Sequence, residues 1–101
     1  TPSPIVELNR AVAVSMAYGP EAGLPIVDAI ADDPAMRDYH LLPSVRGDLL
    51  AKLGRADEAA EQFARAASLT RNERERALLI DRAAATTAGA ATRLAEDAYP
   101  M

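Results

Sequence analysis

The chain has 101 residues, of which 50% are hydrophobic and 26% are charged, and its formal net charge is −4. This length and composition predict one globular domain with one core and argue against intrinsic disorder. The chain has no cysteine and one histidine, which excludes disulfide frameworks, thiol catalysis and multi-histidine metal sites, so we expect no cofactor and no metal.

Charged residues are unevenly spread along the chain. Residues 1–34 carry a net charge of −4, residues 35–72 carry +1 and residues 73–101 carry −1. The acidic balance disfavours a phosphate backbone as the main partner, so we expect no direct nucleic-acid binding. Charged residues also interrupt every apolar run well before the roughly 18 residues needed to span a bilayer, which excludes a membrane span.

Helix-forming residues dominate the sequence. It contains 23 alanines and lacks an alternating β-branched run or an Asn-Gly or Asp-Gly hairpin turn. The chain is therefore predicted to be all-α.

Local signals place two helices in the first third of the chain. Ser3 is the expected N-cap of a first helix over residues 4–18, because a proline follows at the first helical position. A Gly-Pro pair then predicts a second helix over residues 20–30. Pro25 within it predicts a kink or a late start.

Three further helices are predicted after a connector at residues 34–38. The third covers about residues 38–53, although Pro43 requires either a start nearer Leu42 or a kinked first turn. The fourth begins at Ala56 or Asp57 and runs to about Leu69.

The fifth helix is predicted from Glu73 to Ala85. Asn72 and Glu75 have capping-box spacing at its start. We expect the pattern to break at residues 86–89. Residues 90–101 are then either a short last helix or a tail that frays.

Small and aromatic residues recur at helical spacing in the fourth and second helices. Spacings of four and three residues place Ala59, Phe63 and Ala66 on one helix face, as in the second half of a tetratricopeptide repeat. Gly47 falls on that repeat's small position in the preceding helix. The same spacing is expected 37 residues upstream, at Ala22, Ile26 and Ala29.

These patterns together predict the architecture. We expect a short right-handed α-solenoid of antiparallel helix hairpins, tetratricopeptide-like and with about five helices. The predicted division is a helical domain over residues 1–89 and a C-terminal tail or short helix over residues 90–101.

Five segments taken together point to one family. They read SPIVELNRAVAV at residues 3–14, GPEAGL at 19–24, YHLL at 39–42, RGDLL at 46–50 and LGR at 53–55. Across residues 2–84 the chain resembles the C-terminal tetratricopeptide-like domain of bacterial extracytoplasmic-function RNA polymerase sigma factors.

The resemblance implies a regulatory, non-enzymatic role in a cytoplasmic bacterial protein. It implies that the chain is part of a longer protein whose sigma domains bind core polymerase and promoter DNA. The expected partners are those sigma domains, RNA polymerase or a regulatory protein. An acidic module could also compete for basic sigma surfaces. A homodimer through an exposed solenoid end is a further expectation.

Two polar residues of the first helix are candidate partner-binding residues. Asn9 shares a face with Ile5, Val12 and Met16, so we favour a buried amide bonded to a neighbouring helix and keep a peptide-binding role as the alternative. Arg10 lies three residues after Glu7, and a surface ion pair is favoured over a ligand clamp.

Three candidates belong to the third helix. His40 lacks a catalytic companion, so we favour packing between repeats over acid–base chemistry. Asp48 and Lys52 lie four residues apart on the side expected to line a groove. A solvated ion pair is favoured there over a partner contact.

Three functions compete at this point. The first is the regulatory domain of a sigma factor, and the second is a free-standing tetratricopeptide adaptor that binds peptides. The third, a small enzyme, has only His40 and scattered carboxylates in its favour. Sigma domains encoded upstream of Thr1 would separate the first from the second.

Overall fold

The computed structural model describes the backbone of residues 3–98 and the side chains of residues 3–89. Within these residues the chain forms helices and no strand, which confirms the all-α prediction. The elements are α1 (Pro4–Tyr18), α2 (Pro20–Ile30), a 3₁₀ turn (Pro34–Met36), α3 (Leu41–Lys52), α4 (Ala56–Leu69) and α5 (Glu73–Ala98).

The helix starts follow the predicted capping signals. The Ser3 hydroxyl accepts a hydrogen bond from the Val6 backbone N–H at 3.2 Å, and Asn72 Oδ1 accepts one from Glu75 N–H at 2.9 Å. Each bond satisfies a donor that the first turn leaves unpaired. Gly19, with φ of 100°, separates α1 from α2, which begins at Pro20 despite Pro25.

The predicted break at residues 86–89 is wrong, because α5 continues through it to Ala98. The hydroxyls of Thr86 and Thr87 donate to the carbonyls of Arg82 and Ala83, at 2.8 and 3.2 Å, which keeps both side chains compatible with a helix. One glycine among alanines costs only about 1 kcal/mol. The division of the chain at residue 89 stays a prediction, and residues 99–101 lie outside the described residues.

The helix pair α3–α4 packs as the repeat pattern predicted. Ala59, Phe63 and Ala66 are fully buried. A Cβ atom added at Gly47 would lie 2.8 Å from the Phe63 ring, so only glycine leaves room for α3 to approach this closely. The predicted small position in α3 is thereby confirmed.

The predicted register of the upstream copy is wrong by one residue. Ala29 is exposed, whereas Gly23 and Val27 are buried. The cause is the close approach of α1, since a Cβ at Gly23 would lie 2.7 Å from Ser15 Cβ and 2.8 Å from the Ala11 carbonyl oxygen. This face therefore precedes its counterpart in α4 by 36 residues.

Helices that follow each other in the chain pack against each other. α1 lies on α2, α3 on α4 and α4 on α5, while α2 joins the first pair to the second. The principal dimensions are 54 × 33 × 19 Å. The smallest corresponds to two layers of helices, each about 10 Å thick. No helix among the described residues is long and apolar enough to cross a membrane.

Candidate functional site

A groove of about 490 Å³ lies between α1, α3 and α5. We name it the α1–α3–α5 groove. The side chains that line it include Val12, Met16, Val45, Asp48, Lys52 and Arg82. Each of α1, α3 and α5 supplies at least one of them.

Two of the predicted partner-binding residues lie in this groove. Lys52 Nζ is 2.9 Å from Asp48 Oδ2, the expected i, i+4 ion pair. The Lys52 side chain is 60% exposed. The predicted side of α3 therefore does face a groove.

Arg82 is a groove residue that the sequence reasoning missed. Its guanidinium donates to Asp48 Oδ1 at 2.5 Å and lies 4.5 Å from the centre of the Phe63 ring. These two contacts fix the position of a half-exposed cation. The signal in the sequence was its distance from Asp48, 34 residues, which is the usual tetratricopeptide repeat length.

The electrostatics of the groove differ from those of the whole chain. Partial burial raises the pKa of Asp48, but the hydrogen bonds from Lys52 and Arg82 and their charges together lower it by more. The pKa of Asp48 therefore lies below its ordinary value. Asp48 is therefore ionised at neutral pH. Two cations share this one carboxylate, and the side chains lining the groove carry a net charge of +1.

Asn9 and Arg10 do not line the groove. The prediction that Asn9 is a buried amide is wrong, because Asn9 is exposed. α1 instead buries Leu8 and Ala11 on its other side, where α2 covers it. Arg10 forms the favoured surface pair with Glu7 at 2.8 Å, and its hydrogen bond lowers the pKa of Glu7. A role of either residue in partner binding stays a prediction.

His40 lies at the start of α3 and contacts the start of α5. Its Nε2 is 2.9 Å from Glu75 Oε1, and the Thr70 hydroxyl donates to Glu75 Oε2 at 3.3 Å. These contacts connect one hairpin to the next helix, as the favoured packing role requires. The described residues include no group of three or more His, Asp or Glu side chains that could hold a metal ion.

Comparisons with known proteins give one informative match. An uncharacterized protein of Rhizobium meliloti (strain 1021) is 46% identical over 78 residues, which are 77% of this chain and 18% of that protein. The chain thus spans less than a fifth of the relative's length. No protein-family profile matches the chain, and no solved structure matches it.

Proposed function

We propose that this chain is a tetratricopeptide-like, non-enzymatic interaction domain that regulates a bacterial extracytoplasmic-function sigma factor. Its contact surface is the α1–α3–α5 groove, and its partners are the sigma domains of the same cytoplasmic protein or RNA polymerase. The proposal depends chiefly on one observation, the groove that the alternate helices α1, α3 and α5 line. The segments from SPIVELNRAVAV to LGR supply the link to sigma factors.

The positions of the groove residues support a repeat architecture. Val12 and Met16 of α1 precede Asp48 and Lys52 of α3 by 36 residues, the same shift that relates the buried faces of α2 and α4. Arg82 of α5 follows Asp48 by 34 residues. Equivalent positions of successive hairpins lie side by side in a solenoid, which is how such proteins build binding surfaces.

The relative from Rhizobium meliloti is several times longer than the match, which fits a module of a larger protein. The first test is the coding sequence upstream of Thr1. We expect it to encode sigma domains with a promoter-binding helix-turn-helix. An upstream sequence without them would overturn the sigma assignment and favour the free-standing adaptor.

The second test is functional. We expect the full-length protein and a version truncated before Thr1 to differ in polymerase binding and in promoter-specific transcription in vitro. A full-length Met16→Arg variant should behave like the truncated protein, because a large cation would fill the apolar side of the groove. Identical behaviour of all three proteins would reject a regulatory role.

A further inference from the structure

The groove combines an apolar side with a pair of cations that have donors to spare. Val12 and Met16 form the apolar side on α1, and Met16 is 82% exposed. Methionine adapts its shape to different apolar partners and is common at binding surfaces. A large apolar side chain of a partner would remove Met16 from water, which is favourable in proportion to the apolar area buried.

The cations are positioned before any partner arrives. Arg82 is fixed by Asp48 and the Phe63 ring, and Lys52 is fixed by Asp48. A guanidinium has five N–H donors and an ammonium three, so sharing one carboxylate leaves donors unused. A second carboxylate would find two preorganised cations, and charge-assisted hydrogen bonds of this kind are the strongest in proteins.

The acidic part of the chain does not oppose such a partner. No acidic residue of α1 or α2 lines the groove, although residues 1–34 carry a net charge of −4. A basic segment would meet the like charges of Lys52 and Arg82, which disfavours it. An acidic segment therefore complements the charge of the groove, even though the whole chain is itself acidic.

We infer that the α1–α3–α5 groove binds a polypeptide segment in which an Asp or Glu stands next to a large apolar side chain. This inference rests on the proposed function and names the class of partner. An acidic partner in the groove differs from a basic sigma surface, which would instead complement the acidic residues 1–34.

Random dodecapeptides displayed on phage are a suitable probe. The intact chain would be used to select them, and Kd values of the synthesised peptides would be measured by fluorescence anisotropy at 0.15 M salt. We expect selection of acidic–apolar pairs. Lys52→Gln and Arg82→Gln should each weaken binding by about 3- to 10-fold, as expected for the loss of one charged contact.

Asp48→Asn gives a result that a merely structural role would not produce. An amide oxygen at this position still accepts the hydrogen bonds that hold the two cations, but the competing negative charge is gone, so binding of the same peptides should tighten by about 3-fold. Arg55→Gln is the matched control, because Arg55 is similarly exposed and paired with Glu58 at 2.6 Å but lies outside the groove. Lys52, being exposed, tests the charge without disturbing the core, and circular dichroism checks that each variant is folded.

Selection of neutral or basic peptides, or Kd values insensitive to all three groove charges, would overturn the acidic partner. If Met16→Arg still abolished binding of those peptides, the groove would remain the interaction site and the proposed function would stand. Tighter binding of a single-stranded oligonucleotide than of any peptide would overturn the assignment to polypeptide. If no selected peptide loses binding to the Met16→Arg variant, both proposals are overturned.

Discussion

The hairpins α1–α2 and α3–α4 bury corresponding positions to a similar extent. At a shift of 36 residues, Ala11 corresponds to Gly47 and Val27 to Phe63, and each of these residues is buried. The close contact is made by Gly23 in the first hairpin and by Gly47 in the second. The glycine that permits the close approach thus lies on the second helix in one hairpin and on the first helix in the other.

The groove positions of the same hairpins differ completely. Val12 and Met16 in the first hairpin correspond to Asp48 and Lys52 in the second. Close packing restricts what a buried position can accept, whereas a groove position has solvent or a partner beside it. The scaffold therefore constrains one face of each hairpin and leaves the other free to acquire binding chemistry.

Truncating the two corresponding core residues tests the buried half of this comparison. Phe63→Ala should lower the free energy of unfolding by about 3–5 kcal/mol, because it leaves a cavity where a fully buried ring was. Val27→Ala removes less volume and should cost about 1–3 kcal/mol. Urea denaturation followed by circular dichroism measures both.

The matched control for these truncations is Leu78→Ala, at a side chain that is 61% exposed. It should change stability by less than about 0.5 kcal/mol. Equal losses for Phe63→Ala and Leu78→Ala would contradict the described core.

Glycine substitutions test the close approaches within each hairpin. Gly23→Ala and Gly47→Ala should each destabilise the chain by a net of about 1–2 kcal/mol, since strain from overpacking exceeds the gain in helix propensity. At Gly89, by contrast, an added Cβ meets nothing within 4 Å beyond its chain neighbours and the backbone of its own helix. Gly89→Ala should therefore stabilise the chain by about 0.5–1 kcal/mol. Thermal unfolding of the three variants would reveal this difference in sign, and a uniform sign would refute it.

Capping bonds should contribute less than core packing. Asn72→Ala removes the acceptor for Glu75 N–H at the start of α5 and should cost about 1 kcal/mol. Asn72→Asp keeps an acceptor and should retain most of the stability. Comparison of the two urea midpoints decides the matter, and equal losses would show that the capping bond is not the cause.

The groove charges should give the smallest effect on stability, with a defined dependence on pH. The pKa of Asp48 in the folded chain lies below its ordinary value of 3.8, so ionised Asp48 stabilises the fold above that pH and the contribution is lost as the pH falls through the folded pKa. The stability difference between wild type and Asp48→Asn should therefore be largest near neutrality and shrink in acid.

A background that lacks Lys52 and Arg82 provides the control for this pH effect. In the double variant Lys52→Gln/Arg82→Gln, the pH dependence of the same Asp48→Asn change should reverse in sign, because the bonds that lower the pKa are gone and the partial burial that raises it remains. A pH dependence of unchanged sign in the double variant would show that the two cations are not its source.

The sequence predicted what depends on local chemistry. Ser3, Asn72 and the Gly-Pro pair at residues 19–20 act within one turn of their own position, so helix starts followed from residue type alone. The face of α4 was also predictable, because Phe63 and the small residues around it fit only one side of a helix.

Tertiary context decided what the sequence could not. Asn9 was assigned to the core because its face contains Ile5 and Val12, but α2 covers the opposite side of α1. In α2, both Ala22 and Gly23 satisfy the small-residue pattern, and only the proximity of Ser15 distinguishes them. Arg82 joins the site through contacts 34 and 19 residues away, which no local pattern reveals.

Site-specific photo-crosslinking shows whether the α1–α3–α5 groove is the regulatory contact surface. A benzoylphenylalanine would replace Met16 in the groove or, as a control, Ala29 on the exposed face of α2, in the full-length protein with RNA polymerase. We expect crosslinks from position 16 to a sigma domain or a polymerase subunit, and none from position 29. Crosslinks from position 29 alone, or equal crosslinks from both positions, would contradict the groove as the regulatory contact surface.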